Sequence, residues 1–489
     1  MRTYLTSING KRKKCNIPWN GDTIIKDLGL NPILNAMASG DDYLLQNIKE
    51  YLLNNINSVD EILYRQEILK DFIKNGDMAK RIYNNASEFI ESIRRNYLWL
   101  SDSISFSASL GIIRDFIKYI DKLRHIFLEN NDFSSIGLKK FYNVIFNDFG
   151  NEYMNFIKNY LDILNFNDGI ELCISPGLGN SGKNYKLHRP YNGNSIRKFI
   201  SNSIERHYTY ILAERDISGA EEVSEIKNRG LKKVKFAVIN AAKNIMEFYN
   251  DIKSESGFYL SAVNLFNKIK IKNGNICFPI PLNDMRTSFK GLYDLGLFLD
   301  TESNVVPNDL NSDAELFIIT GTNKGGKTTF LRSIGQAQIL MQSGIFVPAE
   351  SFSANIVSGV YTHFKHEEDK TLEKGKFDDE LSKMDEIVKH LKAKGMILFN
   401  ESFSSTNTRE GSEIALGITK ALIENGIKIF FVTHLYEFAS SVYKEISEKS
   451  MFLIAERTYD GRHTYKIIKG KPSETGYAMD LYNKIFMEK

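Results

Sequence analysis

The chain has 489 residues, 42% of them hydrophobic and 25% charged, with a formal net charge of +3. That length exceeds one compact core and points to two or three domains, and the near balance of charge excludes a polyanion-binding surface spread over the whole chain, so any such surface is a local patch. Cys15, Cys173 and Cys277 match no metal spacing and suit a reduced, cytosolic compartment; no apolar stretch approaches membrane-spanning length, and the basic run Lys11–Lys14 lacks the apolar segment of a signal peptide.

From about residue 25 to residue 255 the apolar pattern is helical. Ser58-Val59-Asp60-Glu61 is a capping box, in which the serine oxygen and the glutamate carboxylate satisfy each other's orphan amides. A helix is expected from there through Leu69, Phe72 and Ile73 to a stop at Asn75-Gly76. Ile113, Phe116, Ile120, Leu123 and Phe127 keep helical spacing and predict a long amphipathic helix with a packing stripe. Glycine, proline and asparagine dominate Ser175–Tyr185 and exclude helix there. Lys183, Lys186, His188, Arg189, Arg197, Lys198 and Arg206 follow, with Tyr185 and Tyr191 among them. Cations interleaved with aromatics suit a phosphate backbone with stackable bases; the same composition also makes an ordinary solvated loop. Ser218-Gly219-Ala220-Glu221 reads as a second capping box, opening a helix to about Asn250.

Beyond residue 255 prolines cluster at Pro279, Pro281 and Pro307, and short apolar strands alternate with helices as in an α/β domain, so a boundary is placed near Gly257. Leu316-Phe317-Ile318-Ile319-Thr320 reads as a buried strand, and Phe330 onward as a helix. Between them Gly321-Thr322-Asn323-Lys324-Gly325-Gly326-Lys327-Thr328-Thr329 fits the P-loop pattern, whose glycines let backbone N–H groups turn toward phosphates at a helix N-terminus. Lys327 would reach the β- and γ-phosphates and the Thr328 hydroxyl would sit on Mg²⁺. Met396–Phe399 is a second buried strand ending in Asn400 and Glu401, and Lys428–Val432 a third, ending in Thr433 and His434. Ligands sit at the carboxyl ends of parallel strands, so these residues should face the nucleotide, with Glu401 orienting or deprotonating the attacking water and His434 bonding that water or the γ-phosphate.

Together, Thr320–Thr329, Asn400-Glu401 and Thr433-His434 resemble the Walker A, Walker B and H-loop of the MutS family of ABC-type ATPases. Val306-Pro307-Asn308-Asp309-Leu310 resembles that family's segment before the core strand, which implies that Asn308 contacts adenine. Ser343–Ala349 and Thr406–Gly411 are similar to two further family elements, so the resemblance covers about residues 305–480. Asp27-Leu28, Tyr64-Arg65-Gln66 and the long helices are similar to the family's core and lever region. The mismatch-reading domain has no room, and the chain ends soon after the ATPase, so a stand-alone core plus ATPase is expected. Two departures stand out. Asn400 replaces the usual Walker B aspartate, and Gly375-Lys376-Phe377-Asp378-Asp379-Glu380 replaces the trans-acting signature with its serine. The γ-phosphate of a partner chain would then rely on the Gly375 and Lys376 amides, the helix dipole and the Lys376 ammonium, while Thr328 and Asn400 would hold Mg²⁺, Asn400 directly or through water.

The resemblance implies an α/β plus all-α chain: a helical core over 1–100, a helical lever or clamp region over 101–256 with the glycine-rich insertion near 175–190, and an ABC-type P-loop ATPase domain over 257–489. The expected function is an ATP-dependent, DNA-binding protein of DNA repair or recombination. ATP with Mg²⁺ would be bound and hydrolysed at a dimeric composite site of a cytoplasmic homodimer, moving a helical clamp on duplex DNA with low sequence specificity. A weakly hydrolysing, ATP-gated scaffold for a protein or structured RNA is the alternative that Asn400 keeps open. A metabolic kinase would not account for His434 and Gly375.

Overall fold

A computed structural model describes residues 1–10, 17–54, 56–97, 104–130, 132–164, 172–180, 182–187, 217–302, 304–365, 375–458 and 462–472. His188, Arg189, Tyr191, Arg197, Lys198 and Arg206, and the run Lys11–Lys14 with Cys15, lie outside the described residues. The chain divides into two compact units: Met1–Thr3, Arg81–Asn131 and Phe141–Lys253 in one, and Tyr4–Lys80, Asp132–Lys140 and Ser254–Lys489 in the other.

The first unit is mainly helical. Its apolar stripe is the buried face of the helix Phe106–Glu129, which Ser105 caps by accepting the Ala108 N–H at 3.1 Å. Aromatic rings fill the space behind that stripe: Phe89 stacks on Tyr249 with centroids 3.9 Å apart, and Phe116 meets Phe149 edge-on at 5.2 Å. The stretch whose composition excludes helix is a hairpin of β1 (Leu172–Pro176) and β2 (Gly182–Leu187), with Lys183 and Lys186 exposed. The Arg229 guanidinium lies 5.8 Å from the Tyr185 ring centroid. The last helix of the unit is already formed at Ile217, so Ser218 lies inside it and does not cap it. That helix also runs past Asn250, and on beyond Lys253 as part of the second unit to Ile271, because buried Ile252, Tyr259, Leu265 and Ile269 prolong the apolar face. Gly257 within it costs about 1 kcal/mol of propensity, less than such burial returns.

The second unit carries two sheets. Its strands are β3 (Ile280–Leu282), β4 (Thr287–Leu292), β5 (Asn308–Ser312), β6 (Leu316–Thr320), β7 (Ser351–Asn355), β8 (Val360–Phe364), β9 (Met396–Asn400), β10 (Lys428–Val432), β11 (Ser450–Arg457) and β12 (His463–Lys469). Six of them form a sheet in the order β12-β11-β6-β10-β9-β8, parallel except for β12, and four form a second in the order β3-β7-β4-β5. Every residue of β6, β8 and β10 is buried, as expected of parallel strands covered on both faces. Strand order places the ends of β6, β10 and β9 side by side, which brings three separate sequence motifs together.

Helices from the N-terminal part of this unit cover the helix Lys327–Ser343. Ser58 caps the helix Val59–Lys74 as expected, its side-chain oxygen accepting the Glu61 N–H at 3.4 Å, and the helix ends at Asn75. Arg332 Nε donates to the Asp27 carbonyl at 2.9 Å, and Gln336 Nε2 to the Leu28 carbonyl at 2.8 Å and to Asp294 at 2.7 Å. Gln342 donates to the Ile56 and Val357 carbonyls at 3.1 and 2.8 Å. Gln336 and Gln342 are fully buried, and each amide satisfies loop carbonyls that no secondary structure would pair. A Cβ on Gly335 would lie 2.7 Å from Leu28 and 2.8 Å from Leu398, so glycine sets how closely this helix approaches the sheet. No helix among the described residues is long and apolar enough to cross a membrane.

Candidate functional site

Strand β6 delivers the chain into the loop Gly321–Gly326, and Lys327 is the first residue of the helix that follows. Gly321 and Gly326 take φ of +125° and +91°, and Lys324 takes +62°. These left-handed turns aim successive N–H groups inward and need glycine most at Gly321, where a Cβ would also come within 3.0 Å of the Ala455 backbone nitrogen. Lys327 is 4% exposed, and its ammonium folds back to donate to the Gly321 and Thr322 carbonyls, both at 2.8 Å. Burial lowers its pKa from 10.5 to about 8, against the pull of the Glu401 carboxylate. A buried cation held only by neutral carbonyls is poised for a stronger anionic partner.

The ends of β9 and β10 stand beside this loop. Thr328 Oγ1 donates to Asn400 Oδ1 at 3.1 Å, so the hydroxyl at the end of the glycine loop and the amide at the end of β9 are direct partners. Glu401 leaves β9 with φ of +57°, and its carboxylate accepts from His434 Nε2 at 2.9 Å. That hydrogen bond holds the Glu401 carboxyl below its ordinary range in spite of burial, with Lys327 and Lys365 adding to the effect, so it is ionised near neutrality.

A cavity of about 490 Å³ opens over these groups. Asn323, Lys324, Gly325, Gly326, Lys327, Thr328 and Thr329 line one wall together with Glu401, and Leu292, Tyr293, Asp294, Val306, Asn308 and Tyr465 line the other. Its size is that of a small-molecule site. Gly321 and Thr322 contribute carbonyls to Lys327 but do not line it, and Asn400 and His434 reach it through Thr328 and Glu401. Asn308 is 6% exposed, and its side chain accepts from Ile467 N at 2.7 Å and donates to the Val306 and Tyr465 carbonyls at 3.4 Å, tying β5 to β12 at the cavity wall. Gly375 and Lys376 are exposed at the start of the helix Lys376–His390, whose N-terminus has no side-chain cap, and neither lines this cavity.

Three groups around the cavity escape sequence reasoning. Tyr465, in a left-handed turn with φ of +59°, comes from β12 and follows no motif. Asp294 is buried beside Gln336, caps the short helix Leu295–Asp300, and has its pKa raised by that burial. His463 Nδ1 lies 3.4 Å from Thr322 Oγ1. A histidine two residues before a tyrosine on an edge strand gives no local signal of a ligand site.

Two family models match the chain: the MutS2 N-terminal domain over residues 57–271 and MutS domain V over residues 317–487. Among curated proteins, a DNA mismatch repair protein MutS of Caldicellulosiruptor bescii is 24% identical over 410 residues, covering 79% of this chain and 44% of the relative. A DNA mismatch repair protein MutS of Thermotoga maritima is 30% identical over 182 residues, 36% of this chain and 23% of that protein. The protein of the same name from Thermus thermophilus is 29% identical over 176 residues, 36% of this chain and 22% of the relative. The chain thus spans less than half the length of these relatives.

Proposed function

We propose, on the premise that this chain belongs to the MutS family, that it is an ATP-dependent, DNA-binding ATPase whose nucleotide state moves a helical clamp on duplex DNA. The observation that carries the reading is the cavity at the ends of β6, β9 and β10, where a glycine loop faces an ionised Glu401 held by His434 at 2.9 Å. In this reading the loop amides of Asn323–Thr329 and the helix dipole receive the phosphates of ATP, with Lys327 as the buried cation that exchanges carbonyl partners for phosphate oxygens. The adenine lies along the opposite wall, beside Asn308. Glu401, ionised at neutral pH and tied to His434, orients the attacking water and accepts its proton late, since a carboxylate of lowered pKa is a weak base. His434 positions Glu401 by its hydrogen bond and faces the γ-phosphate.

Thr328 and Asn400 supply two neutral oxygens 3.1 Å apart, and among the described residues no group of three or more His, Cys, Asp or Glu could hold a metal alone. Such a donor set fits Mg²⁺ brought in with ATP, which keeps most of its ligands as water and phosphate oxygens. When bound, the ion would neutralise charge that develops on the phosphates. Gly375 and Lys376, exposed and away from their own chain's cavity, would complete the site of a second copy in a homodimer. The domain division at about residues 100 and 256 goes with this reading, as do a cytosolic setting and the exposed Lys183 and Lys186 as a DNA-facing patch.

The second reading is a weakly hydrolysing scaffold for a protein or structured RNA. It is favoured by Asn400, which leaves the metal without the usual carboxylate. Steady-state ATP turnover with and without duplex DNA, for the wild type and Glu401→Gln, tests the choice. DNA-stimulated turnover that Glu401→Gln abolishes is expected. ATP binding without turnover, unchanged by DNA, would establish the scaffold. Mass measurement with a non-hydrolysable analogue tests the composite site, and a strict monomer at micromolar protein counts against it.

A further inference from the structure

The helix behind Gly375 and Lys376 is joined to the loop that carries Glu401 by a set of buried and half-buried hydrogen bonds. Glu380, in the second turn of the helix Lys376–His390, is buried, and its Oε1 accepts the Ser405 hydroxyl at 2.6 Å. The Glu380 carbonyl accepts from His363 Nε2 at 2.9 Å. Because a carbonyl only accepts, His363 carries its proton on Nε2, and burial keeps the ring neutral by lowering its pKa. Ser402 Oγ lies 2.7 Å from His363 Nδ1 and 2.6 Å from the His363 carbonyl, both acceptors in this tautomer, and its one hydroxyl proton serves one of them at a time. The His363 ring stacks on Phe403 at 5.3 Å with an interplanar angle of 18°.

These bonds close on a stretch of backbone that would not hold its shape alone. Glu401 and Phe403 both sit in the left-handed region, with φ of +57° and +62°. Non-glycine residues stay there only when their surroundings over-determine them. Ser402 and Ser405, either side of Phe403, are gripped by His363 and Glu380, and Ser404 closes the turn by donating to the Glu401 carbonyl at 2.6 Å. Neither His363 nor Glu380 lines the nucleotide cavity.

We infer that Glu380 and His363 are positioning residues for Glu401: they hold its strained loop against the helix that begins at Gly375, so the carboxylate and the trans-acting helix end move as one body. This rests on the reading of Glu401 as the water-orienting group. A partner's nucleotide that draws on Gly375 and Lys376 then acts on the Glu401 of the same chain through Glu380.

The test compares full-length wild type, Glu380→Leu, Glu380→Gln and Glu401→Gln, measuring nucleotide affinity by calorimetry and hydrolysis in single turnovers. Glu380→Leu removes the acceptor for Ser405 with similar volume and should slow hydrolysis by about tenfold or more while affinity stays within about twofold. Glu380→Gln keeps an oxygen for Ser405 and should stay within about threefold of the wild type. In the Glu401→Gln background, Glu380→Leu should add less than about a twofold loss, since residues acting as one unit are not additive. Should Glu380→Leu not fold, Ser405→Ala removes the same bond with one atom. Wild-type hydrolysis in Glu380→Leu or Ser405→Ala, a parallel loss of affinity, or losses that multiply with Glu401→Gln would overturn the inference alone. Hydrolysis in Glu401→Gln equal to the wild type would instead remove the reading of Glu401, and the inference with it.

Discussion

Lys428 should make the stability of this protein rise with pH. It opens β10, the strand whose other end leads to Thr433 and His434, and it is fully buried. Its ammonium donates to the Met285 carbonyl at 2.5 Å and to Thr287 Oγ1 and Asn355 Oδ1, both at 2.6 Å. All three acceptors are neutral, and burial lowers the pKa from 10.5 to about 7, against the pull of Asp284 and Glu315. Between those two values the unfolded chain binds a proton that the folded chain does not, so folding is penalised as pH falls and favoured as it rises. Carrying the two pKa values through the linkage relation gives a gain of ~2.5 kcal/mol between about pH 7.5 and about pH 9.5. Tyr64 and Tyr259, whose pKa values burial raises, act in the opposite sense but only above their ordinary value of 10.0, outside that interval. Urea unfolding followed by circular dichroism at three pH values, for the wild type and Lys428→Met, measures the effect. The substitution also strands three acceptors, a cost that is the same at each pH and cancels in the comparison. The pH dependence of Lys428→Met should be flatter than that of the wild type by roughly 2 kcal/mol over the interval. Parallel curves would refute the reasoning.

Lys327→Ala should weaken ATP binding on the order of 100-fold by calorimetry and leave the circular dichroism spectrum unchanged, because the ammonium is a charged ligand on a loop. Gln336→Ala leaves the Leu28 carbonyl, Asp294 and the Leu295 N–H without their partner and should cost on the order of 3 kcal/mol, read as a lower urea midpoint. Asn400→Asp keeps the oxygen that Thr328 uses and adds a charge; it should lower the Mg²⁺ needed for half-maximal turnover and raise the rate by about tenfold or less. A lower rate with unchanged Mg²⁺ dependence would instead mark Asn400 as a working part of the site.

The second unit was legible in sequence where chemistry is local. Five consecutive apolar residues before the glycine loop could be little other than a buried strand, and the three motifs had to meet once β6, β9 and β10 lay side by side in a parallel sheet. The cover on the helix Lys327–Ser343 was not legible. Gln336, Gln338 and Gln342 look like a polar face in the sequence, yet all three are buried because each amide finds a carbonyl or a side chain from a distant segment. Periodicity scores a glutamine as solvent-facing whether or not such a partner exists. The same blindness hid Tyr465 and Asp294, which reach the cavity by tertiary placement. The continuous helix Ile217–Ile271 escaped for a different reason: the composition shifts near Gly257, close to where the two units divide at Lys253 and Ser254, while the helix runs straight through.

The two departures from the family pattern weigh differently once their surroundings are known. Asn400 offers Thr328 the oxygen an aspartate would offer, so the hydrogen-bonded frame survives and only a charge is missing. Gly375 is a deeper change. A serine there would cap its own helix and offer a hydroxyl to a phosphate; glycine does neither. Asp378 and Asp379 stand in the first turn of Lys376–His390, where carboxylates already satisfy part of the dipole and repel an incoming anion. In the proposed dimer the Lys376 ammonium must therefore supply what dipole and hydroxyl would otherwise share. An exposed ammonium is screened by salt far more than a hydroxyl buried at an interface. The grip of one chain on its partner's γ-phosphate should accordingly weaken with ionic strength faster than the hold of the chain's own loop, where Lys327 is buried. Nucleotide binding to one chain and closure of two chains then become separable by salt alone.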